Sequence, residues 1–276
     1  MKIDKIITTV NENETYLNFL PLMSAAWQKI AGLKPVIGFI TDRDEDDPLV
    51  QKAMEYGEIH LFEPLYGINQ GVQAKVTRLF LASEDANKSE NRMIVDVDMI
   101  PLTSEVIKVF DEAPEDRLVK WGYDHRAFAP GTPDHGKWPM DRTTATAKIF
   151  KEIINPNSLG YEELLRSWMN FRVVDGREDI TLPFDRFSDE SLLRTLYERW
   201  EDKETKTHLI PRTRLEKELM SRRLDRVHMH NWKNLKDRLN EGEFIEVHGL
   251  RPLNNYLSFY EDIFNFFGID KEEAQI

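Results

Sequence analysis

The sequence predicts an α/β fold, a mostly parallel central sheet flanked by helices and followed by an elaborated C-terminal half. Strand-like and helix-like segments alternate over the first hundred residues, the pattern of parallel strands joined by crossover helices. Runs such as VIGFI (Val36–Ile40) and MIVDV (Met93–Val97) are nearly continuous in apolar residues, as strands covered on both faces must be. The chain has 276 residues, 41% of them hydrophobic and 11% aromatic, enough for one large domain with a sizeable core.

Taken in order, Lys5–Val10 is a short β-branched strand. Tyr16–Ile30 has the apolar spacing of a helix and closes at Gly32. Val36–Ile40 is a second strand, and Pro48–Tyr56 a second helix behind an Asp47 cap. Glu58–Phe62, Val72–Ser83 and Met93–Val97 continue the alternation as strand, helix and strand. Beyond Pro101 the order loosens. Ser104–Asp111 reads as helix, Leu118–Tyr123 as strand and Ala129–Met140 as a Pro- and Gly-rich loop. Thr143–Ile154, Tyr161–Met169 and Ser188–Trp200 read as helices, and Val227–His230 and Phe244–His248 as short strands. Asn254–Phe267 is an aromatic helix whose stripe is expected to pack onto the domain. There is no internal repeat and no linker-like stretch.

Composition excludes several function classes. A net charge of −12 makes non-specific nucleic-acid binding unexpected, because phosphate affinity comes from clustered Lys and Arg. No segment approaches the length and apolarity of a membrane span. The N-terminus lacks the basic-then-apolar order of a signal peptide, so a cytoplasmic protein is expected. With no cysteine, disulfides, thiolate metal sites and cysteine nucleophiles are absent. The acidic run Asp42–Asp47 is no EF-hand: Asp47 stands where that loop needs Gly, and Ala53 where it needs a bidentate Glu.

The run RMIVDVDMIPL (Arg92–Leu102) poses the chemical question. It reads as a buried strand, yet it holds Asp96 and Asp98, and buried carboxylates are costly without a compensating cation. Residues two apart on a strand share a face, and the C-terminal ends of strands are where open α/β sheets bind ligands. Two carboxylates there form a half-site for Mg²⁺ or Mn²⁺, which complete their shells from water and substrate phosphates. The plainer alternative is a strand end with two salt-bridged acids. Three further stretches bear on the choice. In EVHGLRP (Glu246–Pro252), His248 is a third candidate ligand or a structural histidine. In QAKVTRLFL (Gln73–Leu81), Lys75 and Arg78 share a helix face that is solvated or turned to an anion. In FSDESLL (Phe187–Leu193), Asp189 and Glu190 open a helix, where negative charge also favours the helix dipole.

With these motifs in hand, the order resembles that of GT-A (Rossmann-like) glycosyltransferases of the family-8-like, galactosyltransferase or glycogenin-type branch. IVDVDMIPL is similar to their D-x-D strand, and IITTVNENETYL stands where a uridine-binding strand and its Tyr would be. AKVTRL resembles the helix bearing a donor-facing Lys and Arg, and FSDESLL the acidic D-Q-x-x-L helix start beside the acceptor. HGLRP is similar to the late H-x-x-G-x-K-P motif, but shorter and with Arg251 in place of Lys. The resemblance spans Lys2 to Leu253.

It implies a single catalytic domain over 1–276, with a nucleotide-binding half (1–102), an acceptor- and metal-closing half (103–253) and a C-terminal aromatic helix and tail (254–276). It further implies a metal-dependent transferase using a nucleotide-sugar donor, a UDP-sugar, and a sugar-containing or other hydroxyl acceptor, with Mn²⁺ or Mg²⁺ as cofactor. Asp96, Asp98 and His248 would hold the metal. Thr8, Thr9, Val10, Tyr16, Lys75, Arg78, Asp96 and Arg251 would bind the donor. Asp189 and Glu190 would face the sugar or acceptor.

Two readings compete. His228 and His230 share a strand face and, with His248, form a three-histidine set suited to a catalytic Zn²⁺ of a hydrolase or hydratase; this leaves the D-x-D unexplained. The aromatic C-terminal helix would alternatively serve a non-catalytic interaction module.

Overall fold

The structure is a computed structural model, and it describes residues 1–87, 89–123, 138–169, 188–211, 222–226 and 237–270. Ten strands form two sheets among these residues. The larger contains β1 (Lys5–Asn11), β2 (Val36–Ile40), β3 (Glu58–Phe62), β4 (Asn91–Ile94), β6 (Leu118–Tyr123), β7 (Thr143–Thr146) and β8 (Thr207–Pro211). Its spatial order is β3-β2-β1-β4-β7-β6-β8. β7 runs against both neighbours and the other six strands run one way. The smaller sheet has the order β5-β10-β9, from Met99–Pro101, Glu246–His248 and Arg223–Leu224.

Side-chain polarity dictates the layering. Neighbouring strand residues enter different hydrophobic clusters: Ile6 against Ile7, Met93 against Ile94, Val119 against Leu118. One cluster gathers α2 (Leu20–Ala31), α3 (Pro48–Met54) and the C-terminal α9 (Leu257–Phe267). The other gathers α4 (Gln70–Ser83), α6 (Ala147–Ile154), α7 (Tyr161–Met169) and α8 (Ser188–Arg199). Both faces of the sheet are thus covered, which is why its strands read as continuous apolar runs. Helix starts are set by side-chain caps. Asn69 accepts from the Gly71 and Val72 amides at 2.9 and 3.3 Å, and Asp47 from Leu49 at 2.8 Å.

Several elements differ from the sequence expectation. The helix expected over Tyr16–Ile30 is two helices, α1 (Glu14–Leu17) and α2, because Pro21 is compatible only with a first turn. The helix expected over Thr143–Ile154 begins as strand β7. Its threonines favour extended backbone, and Thr146 then caps α6. Shorter than expected are α5 (Glu105–Lys108), β10 and β4. β4 stops at Ile94, so Asp96 and Asp98 lie in the turn between β4 and β5 and strand alternation does not align them. The last sheet contact is Val95 N–H to Ile7 O at 2.9 Å, and Met99 N–H then closes a turn on Asp96 O at 3.1 Å. β5 is the end of the apolar run Arg92–Leu102 split off as a separate strand, and β8 and β9, short and without alternation, carry no strand signal in the sequence. The strand expected at 227–230, with His228 and His230, lies outside the described residues, as does most of the loop expected at 129–140.

The aromatic C-terminal helix packs inward. Phe259, Tyr260, Ile263, Phe264 and Phe267 are buried, and Tyr260 meets Phe19 edge-on. No helix among the described residues is long and apolar enough to cross a membrane.

Gly249 lies where this layer meets the small sheet. Its amide donates to Asp98 O at 2.8 Å, and a Cβ there would fall 2.6 Å from Phe19 Cε1 and 2.8 Å from the Tyr260 hydroxyl. Gly249→Ala should therefore cost about 1–3 kcal/mol through overpacking, read as a lower urea midpoint.

Candidate active site

A cleft of about 710 Å³ opens beyond the C-terminal ends of β1 and β4, the ligand position of open α/β sheets. Its floor comes from β1, through Thr8, Thr9 and Val10, with Tyr16 of α1 beside them. The middle of α4 supplies Lys75 and Arg78, and the first turn of α8 supplies Asp189 and Glu190. The turn after β4 brings Asp96 and Asp98; His248 and Arg251 come from the end of β10 and the loop beyond it. The twelve residues that the glycosyltransferase resemblance implies thus border one cavity, although they derive from distant parts of the chain.

Two carboxylates share one cation. Arg78 is buried, and its two terminal nitrogens donate separately to Asp96 Oδ1 and Asp189 Oδ2. Burial works against the Arg78 charge, but Asp189 and Asp96 outweigh it and hold the guanidinium more firmly protonated than usual. Enclosure likewise pushes Asp96 up, and Arg78 more than reverses this, leaving that carboxyl below its ordinary range. Arg78 is therefore turned to carboxylates in this structure, where the sequence suggested a phosphate.

Asp98 is compensated differently. Arg251 Nε lies 3.2 Å and His248 Nε2 3.7 Å from its Oδ2, which is buried and accepts no hydrogen bond. Burial and the neighbouring Asp96 charge push this carboxyl up, against His248 and Arg251. Arg251 also donates to the Tyr16 hydroxyl, its guanidinium carbon 4.9 Å from the ring centroid. His248 Nδ1 faces Asp225 Oδ2 at 3.2 Å. Burial lowers the imidazole pKa, but the Asp225 hydrogen bond and the Asp98 charge raise it further, so the balance is upward.

The chemistry of these side chains suits a divalent metal ion. Carboxylate oxygen and imidazole nitrogen are the donors Mn²⁺ accepts, and Asp98 Oδ2, buried without a hydrogen bond, is an oxygen such an ion would satisfy. The residues fit. Among the described residues, however, no three such side chains stand ready as a cluster, and Asp96 is held by Arg78.

Among solved structures, this architecture matches an active-site mutant of LgtC at TM-score 0.54 and 11% identity, over 98% of both chains. It also matches galactosyltransferase LgtC in complex with donor and acceptor sugar analogues at TM-score 0.50 and 10% identity, again over 98% of both. The chain has the fold of LgtC. This is the GT-A arrangement of a mostly parallel sheet flanked by helices. The glycosyltransferase GlyE of Streptococcus pneumoniae aligns over 98% of this chain and 62% of its own at 10% identity, with TM-score 0.48. No family model matches the chain, and no curated protein matches it in sequence.

The cleft also holds residues that sequence reasoning passed over. Asn11, Asn13, Asn69 and Arg226 line it. Asn13 and Asn69 cap α1 and α4 in the structure, and Arg226 follows a strand too short to detect. Behind the cleft, Lys120 on β6 is fully buried. Its ammonium donates to Pro139 O and to Thr143 Oγ1 at 3.1 Å. Burial pulls its pKa down to about 8, against the Glu190 and Asp141 charges. Glu190 moves the opposite way, pushed up to about 7 by burial and by Asp189 and Asp96, against Arg78 and Lys120.

Lys120 makes a checkable contribution to stability. Between its folded value of about 8 and its ordinary 10.5, the unfolded chain holds a proton that the folded chain has lost. Stability from this site therefore rises with pH through that window. Urea unfolding should show the wild type gaining up to about 3 kcal/mol on Lys120→Met between those limits.

Proposed function

We propose that the protein is a metal-dependent glycosyltransferase, moving a hexosyl or pentosyl group from a nucleotide sugar, a UDP-sugar, to a hydroxyl acceptor. A cytoplasmic location belongs to the same proposal. The observation that carries the reading is the convergence of Asp96, Asp98 and His248, with the cations Arg78, Lys75 and Arg251, on one cleft of a fold shared with galactosyltransferase LgtC.

Asp98 and His248 would hold Mn²⁺ or Mg²⁺, joined by Asp96 once Arg78 releases it. When bound, the ion would neutralise the charge growing on the departing diphosphate. Thr8, Thr9, Val10 and Tyr16 form the wall that takes the nucleoside. Lys75 and Arg251 give an acidic protein a local positive lining for the diphosphate. In the transfer, the bond from the anomeric carbon to phosphate oxygen breaks and a bond to the acceptor oxygen forms. Asp189, immobilised by Arg78, orients sugar hydroxyls. Glu190, held near neutrality, is the group suited to accept or return the acceptor's proton.

Two measurements test this. In a thermal-shift panel of nucleotide sugars and nucleoside triphosphates with and without Mn²⁺, a UDP-sugar should raise the melting temperature only with the metal. Binding at about a hundred times Kd stabilises by about 2.7 kcal/mol. No shift with any nucleotide sugar would refute the reading, and a shift with triphosphates alone would point to nucleotidyl transfer. If Glu190 handles the proton, activity rises as pH passes through about 7. Glu190→Gln should then lower kcat by roughly 10²–10⁴ and flatten that limb.

A further inference from the structure

The three-stranded sheet places a histidine between two carboxylates. In the register of β10 against β5, His248 lies opposite Met99, so Asp98 is one residue away. In the register of β10 against β9, Glu246 pairs with Arg223 and Val247 with Leu224. The next residues in step are His248 and Asp225. The result is a row across the sheet: Asp98 Oδ2 3.7 Å from His248 Nε2, and Asp225 Oδ2 3.2 Å from His248 Nδ1. Only the Asp98 side opens on the cleft; Asp225 does not line it.

We propose that Asp225 is a positioning residue: it accepts the Nδ1 proton of His248 and so fixes the tautomer that leaves the Nε2 lone pair on the cleft side, open to a cation between it and Asp98. A neutral imidazole carries one proton, and the nitrogen without it is the metal-binding one. A carboxylate is an acceptor only, so it selects the Nδ1–H form and restrains the ring. Asp225 is anchored in turn. Arg223 Nε lies 4.0 Å from its Oδ2 and 3.4 Å from Glu246 Oε2, and Glu246 pairs with buried Arg142. The placement of Asp225 is a consequence of strand register, and no motif in the sequence marks it. As it concerns metal binding, the inference rests on the reading of His248 as a ligand.

The test separates the two ideas. Imidazole ¹⁵N shifts, recorded above the titration of His248 and assigned by loss of the signal in His248→Gln, should show the wild-type proton on Nδ1. A proton on Nε2 overturns the proposal. In Asp225→Asn and Asp225→Ala the preference for Nδ1–H should be lost. Binding of Mn²⁺ alone, followed by the EPR signal of free Mn²⁺, should weaken about 10–100-fold. Asp225→Glu, which keeps an acceptor-only group, should restore much of both. Asp225→Asn retains the side-chain volume and decides the matter if the alanine variant does not fold. Variants with wild-type tautomer and wild-type Mn²⁺ affinity overturn the proposal. A wild type with Nδ1–H but no Mn²⁺ binding overturns the metal reading alone and supports Asp225 as the residue that sets the tautomer.

Discussion

One buried guanidinium carries much of the electrostatic burden of this molecule. Four carboxylates (Asp96, Asp98, Asp189 and Glu190) line a single cleft, and their mutual repulsion would oppose folding without a cation among them. Arg78 suits that role: it stays charged when buried, and its planar fork offers separate donors to two partners. Its bridge joins α4, the turn after β4 and the start of α8, tying Asp189 to a residue 111 positions away. Removing one partner of a buried charge group typically costs about 3–5 kcal/mol, because the remaining charge is left uncompensated. The acidic wall of the cleft and the packing of α8 are therefore one structural problem.

The small sheet solves the corresponding problem for Asp98. β5 follows the acidic turn directly, and pairing it with β10 delivers His248 and Arg251 to that carboxylate. The elaborated C-terminal half thus has a physical purpose. It closes the cleft with charge opposite to that left by the central sheet. Gly249 permits the approach, since Phe19 and Tyr260 occupy the space a side chain would need.

Burial also makes the cleft chemically differentiated. Asp96 beside Arg78 is held low, while Glu190, with burial and two acidic neighbours acting together, is held near neutrality. Lys120 beneath them is pulled toward the same range from above. Groups of one ordinary type thus shift in opposite directions according to their surroundings.

The sequence by itself determined the layered α/β class, because helix and strand periodicities depend on nearest neighbours in the chain. β2, β3, β6 and α7 follow from it to the residue. It also pointed to Asp96 and Asp98, because two aspartates in an apolar run require explanation wherever the chain goes; the family resemblance, not the run itself, implied Thr8, Thr9, Val10 and Tyr16. Tertiary structure alone decided which cation meets which carboxylate. Arg78, suggested as a phosphate partner, is bound to Asp96 and Asp189. It also decided that TTAT is a reversed strand between β4 and β6, and that Asp225 stands behind His248. These depend on strand register and on contacts between residues far apart in sequence, whose energies leave no periodic trace in the order of amino acids.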